Sequence, residues 1–241
     1  MAAITLPPRL QCIADNVPQG SVVADIGTDH AFLPIYLVSS GRSPRAIGVD
    51  PKPGPLAAAA VNVAAAGVGD RVELRRGSGL SPLTPGEADV VVLAGLGGAL
   101  TCKILDLDPA VRWSVERFIL QPMIGAEVLR RWLDENGLKI ADEDLVEDVG
   151  RLYEVIVAEP RTGSQAPQAD GLGLSQEVLD FVGPVLLKKR HPLLKRHVQA
   201  MLAEFQTALG QLTAGRTARA AEVRERYGRI ADGLREVLCR L

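Results

Sequence analysis

Five apolar runs rich in β-branched residues alternate with helix-forming stretches through the first half of the chain, and no other feature restricts the fold as much. The runs are SVVADI (21–26), RAIGV (45–49), RVELR (71–75), ADVVVLAG (88–95) and ERFILQ (116–121). Among and after them come HAFLPIYLVSSG, GPLAAAAVNVAAAG, the stretch from Gly98 to Leu105, and GAEVLRRWLDENG, several closing on a glycine of the kind that ends helices. Such alternation predicts parallel strands joined by right-handed crossovers, hence an α/β doubly wound sheet with helices on both faces.

After Gly137 the pattern changes. KIADEDLVEDV and RLYEVIVAE read as two strands about the turn residue Gly150, a hairpin added antiparallel to the sheet edge. A parallel sheet ending this way is, by analogy of fold, the Rossmann-like class I methyltransferase arrangement. PRTGSQAPQADGLG (160–173) has linker composition, so a first domain is placed at 1–160, a linker at 161–174 and a helical domain at 175–241. In that last part Val198, Met201, Leu202, Phe205, Leu209 and Leu212 share one helical face. Val223, Tyr227, Ile230, Leu234, Val237 and Leu241 share another, predicting two amphipathic, coiled-coil-like helices that break near Gly215.

The 241 residues are 47% hydrophobic and 23% charged, the composition of a globular protein with a real core and not of a disordered chain. MAAITLPPRLQ has no basic region followed by an apolar core, and the longest uncharged stretch, 90–102, is too short for a membrane span. Cys12, Cys102 and Cys239 are far apart and odd in number, which points to neither a disulfide framework nor a zinc site. The expectation is a cytoplasmic protein without metal. Through Ser175 there are 15 Lys and Arg against 22 Asp and Glu; from Gln176 onward there are 12 against 7. A polyanion would be drawn to that basic tail, although a solvated helical surface has the same composition.

The stretch VVADIGTDHAFLPIYL (22–37) carries the first chemical signal. Asp25 ends a strand, Gly27 allows a tight turn, and the turn delivers Asp29 and His30 to the start of a helix. A dinucleotide site would be expected to read GxGxxG here, but this turn reads GTDHAF. Its carboxylates oppose a pyrophosphate and suit the ammonium and sulfonium charges of S-adenosyl-L-methionine. Asp50, in GVDPKPG, can accept both hydroxyl protons of an adenosine ribose in either nucleotide fold. RRGSGL (75–80) and VVLAGLGGALT (91–101) give the third and fourth strands turn chemistry at the same edge.

ADIGTDHAFLPIYL, GSGL, VVLAGLGGAL, RFILQP with RRWLDENG, and GRLYEVIVAE together resemble the bacterial tRNA adenine-22 N1-methyltransferase family, TrmK. The likeness runs in order from about Pro8 to Glu159, and LSQEVLDFVGPVLLKK resembles the opening of that family's helical domain. The resemblance implies S-adenosyl-L-methionine as donor and N1 of a tRNA adenine as acceptor. It implies cofactor contacts from Asp25, Gly27, Thr28 and His30, from Asp50 and Pro51, from Gly77, Ser78 and Gly79, and from Ala94, Gly95, Leu96 and Gly97. Asp29 matches the acid beside the reaction centre and is the candidate catalytic residue. Gly98, Gln121 and Pro122 would face the substrate, and Lys188, Lys189, Arg190, Lys195 and Arg196 the tRNA backbone.

Two departures stand out. The family pattern GDGL is Gly77-Ser78-Gly79-Leu80 here, and LQPN is Leu120-Gln121-Pro122-Met123. They keep open a paralogue with another acceptor nucleotide, or a non-catalytic RNA-binding module; a nicotinamide-dependent oxidoreductase is the more distant alternative. His30 reads as an orienting residue, since the reaction needs no titrating group, and Trp113 and Trp132 as packing residues. Tyr153 could pack on the sheet or stack on a base, and Arg75 and Arg76 could reach phosphate or merely end an exposed strand. A monomer or weak homodimer is expected.

Overall fold

The computed structural model describes residues 4–161, 173–212 and 218–241. The chain divides into two compact units, 1–165 and 166–241.

In chain order the first unit contains α1 (Pro8–Asp15), β1 (Val23–Ile26), α2 (Phe32–Ser39), β2 (Ala46–Asp50), α3 (Pro53–Ala66), β3 (Val72–Arg76), β4 (Val90–Gly97), α4 (Gly98–Leu107), α5 (Pro109–Ser114), β5 (Arg117–Ile124), α6 (Ala126–Glu135), β6 (Leu138–Asp148) and β7 (Arg151–Pro160). The sheet order is β3-β2-β1-β4-β5-β7-β6. The pairs among β1 to β5 are parallel, whereas β7 runs antiparallel to both β5 and β6. The order reverses between β1 and β4, and a crevice opens beyond the carboxyl ends of strands at such a switch point.

Every residue of β1 and β2 is buried, as a central strand covered on both faces requires. Side chains alternate between two apolar layers. Ala24, Ile47, Val91, Phe118 and Leu120 pack with Cys102 and Leu105 of α4 and Leu129 and Leu133 of α6. Val23, Val90, Val92 and Ile119 face the other way, onto Ile13 and Ala14 of α1 and Leu33 and Leu37 of α2. Ala46 and Val72 meet Ile35 and Val38 of α2 and Ala59 and Val63 of α3.

Two helices lie where the apolar pattern gives no run. α1 begins with proline in its first turn, and α5 begins with Asp108 accepting from Val111 N at 3.1 Å ahead of Pro109. The β6–β7 hairpin turns on Val149 and Gly150, both at positive φ (47° and 73°). Arg130 of α6 is buried against Glu143 and Glu154 of that hairpin, its Nε donating to Glu143 Oε1 at 2.6 Å.

The second unit contains α7 (Gln176–Val182), α8 (Pro184–Lys188), α9 (Leu194–Leu212) and α10 (Ala218–Arg240). Phe205 of α9 meets Phe181 of α7 and Tyr227 of α10 edge to face, at 5.2 and 5.1 Å. Each residue of the two predicted stripes is buried or half-buried. The predicted break at Gly215 and residues 162–172 of the predicted linker lie outside the described residues. No described helix is long and apolar enough to cross a membrane, and among the described residues no cluster of His, Cys, Asp and Glu could hold a metal ion.

Candidate active site at the carboxyl edge of the sheet

The turn after β1 is tied to β2 by two hydrogen bonds, Gly27 N and Thr28 N both donating to Val49 O at 2.8 and 3.0 Å. Gly27 sits at φ +80° and a Cβ there would meet nothing within 4 Å, so backbone conformation and not crowding calls for glycine. Two residues with side chains also take left-handed conformations, Asp29 at 51° and Ala31 at 57°. Such geometry costs of order 1 kcal/mol per residue, and it persists where surrounding contacts impose it.

Asp50 supplies one of those contacts. Its Oδ1 accepts from Lys52 N at 2.9 Å and its Oδ2 from Asp29 N at 3.4 Å, while its carbonyl accepts from Gly77 N at 3.2 Å. The ends of β1, β2 and β3 are thus joined through one residue. Asp25 is buried beneath the same turn. Burial pushes its carboxyl up to about 6, the nearby Asp50 charge adds to the rise, and the Thr28 hydroxyl partly offsets it.

Asp29 and His30 project to solvent, with His30 Nε2 3.7 Å from Asp29 Oδ2. The His30 ring stacks on Phe32 (centroids 5.6 Å apart, planes at 16°) and its carbonyl accepts from Asn62 Nδ2 at 3.0 Å. These contacts hold the imidazole beside the acid. Pro51 is exposed just ahead of α3.

After β3 the chain runs close to itself. A Cβ on Gly77 would lie 2.2 Å from Pro82 Cγ, and Gly79 adopts φ +59° over Ile104. Ser78 between them is exposed, its carbonyl taken by Ser81 Oγ at 2.9 Å. Arg75 is not a phosphate ligand in waiting: Glu73 and Glu87 hold it, with Nη2 2.5 Å from Glu87 Oε1 and Nε 2.7 Å from Glu73 Oε1. The same arginine holds the Glu87 carboxyl down at about 2.

The glycines from Gly95 to Gly98 close the crevice. Register between β4 and β5 shifts between Ala94 and Leu96 and again before Gly97, leaving Gly95 at φ +76° outside the ladder. Its N–H donates to the buried side chain of Gln121, 3.1 Å to Oε1. Gly97 is the N-cap of α4, and Gly98 admits no side chain, since a Cβ would fall 2.0 Å from Gly125 O. Pro122 is buried and pairs with Leu96 across the strands; Met123 and Ile124 beyond it are exposed.

The fold therefore collects Asp25, Gly27, Thr28, Asp29, His30, Asp50, Gly77 and the β4 glycines with Gln121 along one sheet edge. Lys188, Lys189, Arg190, Lys195 and Arg196 are exposed on the second unit, where Arg190 Nη2 donates to Arg240 O at 3.2 Å. Trp113 packs its ring against Arg112 and Gly137 but is half-exposed, not in the core. One polar residue at this edge was missed in the sequence. Arg9 of α1 donates from Nη1 to Gln121 Oε1 at 2.7 Å and lies over the ring of Tyr153 (5.7 Å). Proline in the first turn of α1 was the available clue that a helix begins beside it.

Residues 6–156 match the methyltransferase domain family model. The chain is 37% identical over 213 residues to the tRNA (adenine(22)-N(1))-methyltransferase of Bacillus subtilis, covering 88% of each. It is also similar to the crystal structure of the B. subtilis m1A22 tRNA methyltransferase TrmK (33% identity, 98% and 99% of the two chains, TM-score 0.88). A third relative is Streptococcus pneumoniae Sp1610, described as a putative tRNA (m1A22) methyltransferase and solved in complex with S-adenosyl-L-methionine (30% identity, 95% and 98%, TM-score 0.81). By matched family model, by identity over nearly the whole length and by fold, the chain belongs to the bacterial tRNA (adenine-22-N1)-methyltransferase family of class I methyltransferases.

Proposed function

We propose that the protein transfers a methyl group from S-adenosyl-L-methionine to N1 of adenine 22 in tRNA, acting in the cytoplasm as a monomer or weak homodimer. The observation that carries the reading is the gathering of the β1 acid and glycine turn, the β2 acid and the β4 glycines at one switch point, in a chain 37% identical to an enzyme of that name.

The residues present fit the donor. The Asp50 carboxylate is already oriented by two backbone N–H groups and can accept ribose hydroxyls. Space is open beside Gly27, and at the third turn the exposed Ser78 is able to accept one hydrogen bond from an adenine amine. When bound, S-adenosyl-L-methionine supplies a methyl group on a positively charged sulfur. Burial raises the Asp25 carboxyl to about 6, and a cationic ligand opposite it would favour the charged form.

Adenine N1 carries its own lone pair, so the chain needs no strong base to create a nucleophile. Its task is alignment, which in favourable cases is worth about 7 to 11 kcal/mol. Asp29, exposed at the mouth and fixed by Asp50, accepts a hydrogen bond from the exocyclic amine and stabilises the cation that develops on the base. His30, stacked on Phe32, orients that acid. Gly98 lets the start of α4 pack on the Gly125 turn beside the crevice, and the exposed Lys188, Lys189, Arg190, Lys195 and Arg196 hold the tRNA backbone in a salt-dependent way. Met123 in place of the family's Asn favours one alternative, a paralogue with another acceptor nucleotide.

Incubation with methyl-labelled donor and two tRNA transcripts, one with adenine and one with guanine at position 22, followed by nuclease digestion and mass spectrometry, tests the reading. N1-methyladenosine in the first transcript alone supports it. Label at another nucleotide supports the paralogue, and no label in either counts against both.

A further inference from the structure

We infer that Arg9 is a positioning residue for the methyl transfer, acting through the carboxamide of Gln121 on the Gly95 turn. The inference rests on the proposed reaction for its kinetic consequence only; its structural half stands apart.

Gly95 lies where the β4–β5 register breaks, and its N–H has left the strand ladder. Gly95 is itself exposed, but its N–H is directed at the buried side chain of Gln121, whose Oε1 accepts it at 3.1 Å and ties the turn to β5. A carboxamide has nearly the same shape when its oxygen and nitrogen are exchanged, so only its partners decide which end faces the turn. Gln121 Nε2 donates to Pro122 O at 3.0 Å, a contact to its own neighbour. Gln121 Nε2 also lies 3.8 Å from Met123 Sδ, and Arg9 reinforces the orientation these contacts favour. Its guanidinium can only donate, and Nη1 stands 2.7 Å from Oε1, filling the second lone pair of the oxygen that serves Gly95. In the exchanged orientation the amide NH2 would face two donors at once.

Arg9 follows the proline that starts α1, and its guanidinium lies over the face of Tyr153 on β7, 5.7 Å from the ring centroid. Three elements, α1, β4 and β5, thereby meet at one oxygen atom, and β7 joins them through the Arg9 guanidinium. Loss of this donor frees the carboxamide and loosens the Gly95 turn that walls the crevice. Misplacement of about 1 Å near reacting groups costs on the order of 100-fold in rate.

The experiment uses the full chain with Arg9→Ala, Arg9→Lys, Gln121→Ala and the double variant Arg9→Ala/Gln121→Ala. Amide hydrogen exchange by NMR is expected to be at least about tenfold faster at Gly95 in Arg9→Ala, with thermal stability nearly unchanged. Exchange at the wild-type rate overturns the inference whether or not the protein methylates tRNA, so its failure is separable from failure of the proposed function. In turnover assays kcat should fall at least about tenfold, with KM for tRNA and affinity for S-adenosylhomocysteine within about threefold. Arg9→Lys should recover part of the loss, and the double variant should be no slower than Gln121→Ala. An effect confined to KM for tRNA would make Arg9 a substrate ligand instead, and multiplying losses would show that it does not act through Gln121; either result overturns the inference.

Discussion

Asp50 Oδ2 accepts the backbone N–H of Asp29 at 3.4 Å, so the acid ending the second strand fixes the turn that presents the acid following the first. The relation separates the two carboxylates by role. Asp50→Ala should weaken S-adenosyl-L-methionine binding at least about tenfold in calorimetric titration, through loss of the ribose acceptor and of the turn. Asp29→Ala should leave that affinity within a few-fold and reduce turnover at least about 100-fold. Equal loss of binding and turnover in Asp29→Ala would make Asp29 a cofactor ligand.

Asp25 should make the ligand-free protein less stable near neutrality than its fold allows. Its carboxyl rises from 3.8 to about 6 on folding, so between those values the folded state holds the proton more tightly than the unfolded one. Stability from this group is highest below about pH 4 and declines as pH climbs through 6, a difference of about 3 kcal/mol. Urea denaturation should find Asp25→Asn more stable than wild type at pH 7, with the gap closing toward pH 4, while its affinity for the methyl donor falls. A gap that widens on acidification would contradict the assignment.

Ser78 occupies the position where the family pattern carries a carboxylate. It is exposed and its carbonyl is already used by Ser81, so only its hydroxyl can meet an amine there. Ser78→Asp should tighten S-adenosyl-L-methionine binding by about 1 kcal/mol, roughly fivefold, with little effect on binding of the bare amino acid methionine.

Arg130 is fully buried between Glu143 and Glu154, joining α6 to the edge hairpin. Arg130→Ala removes the guanidinium that faces the buried Glu143 carboxylate and should cost about 3 to 5 kcal/mol in chemical denaturation of the first unit. A change below about 1 kcal/mol would show the carboxylate reaching water or another cation.

The parts of the site that lie within one strand and its turn were legible in the sequence. Asp25, Gly27 and Asp50 declare themselves because an apolar run ending in an acid and a glycine has few uses at a sheet edge. What crosses the chain was not. Gly98 is glycine because Gly125 O would meet its Cβ, a contact created by the packing of α4 against the turn before α6. Arg9 reaches Gln121 across 112 positions, from a helix whose short apolar pattern gives no warning. Arg75 shows the converse: its neighbourhood in sequence resembles a ligand loop, yet Glu87, twelve residues on, folds back to neutralise it.

Calorimetric titration of the folded wild-type protein with S-adenosyl-L-methionine, with NADH as the control ligand, tests the central claim most directly, because every role assigned to the carboxyl edge presupposes that donor. One saturable site for the methyl donor and none for NADH is the expected outcome. Absence of heat with the methyl donor and its demethylated product, or saturable binding of NADH alone, would contradict it.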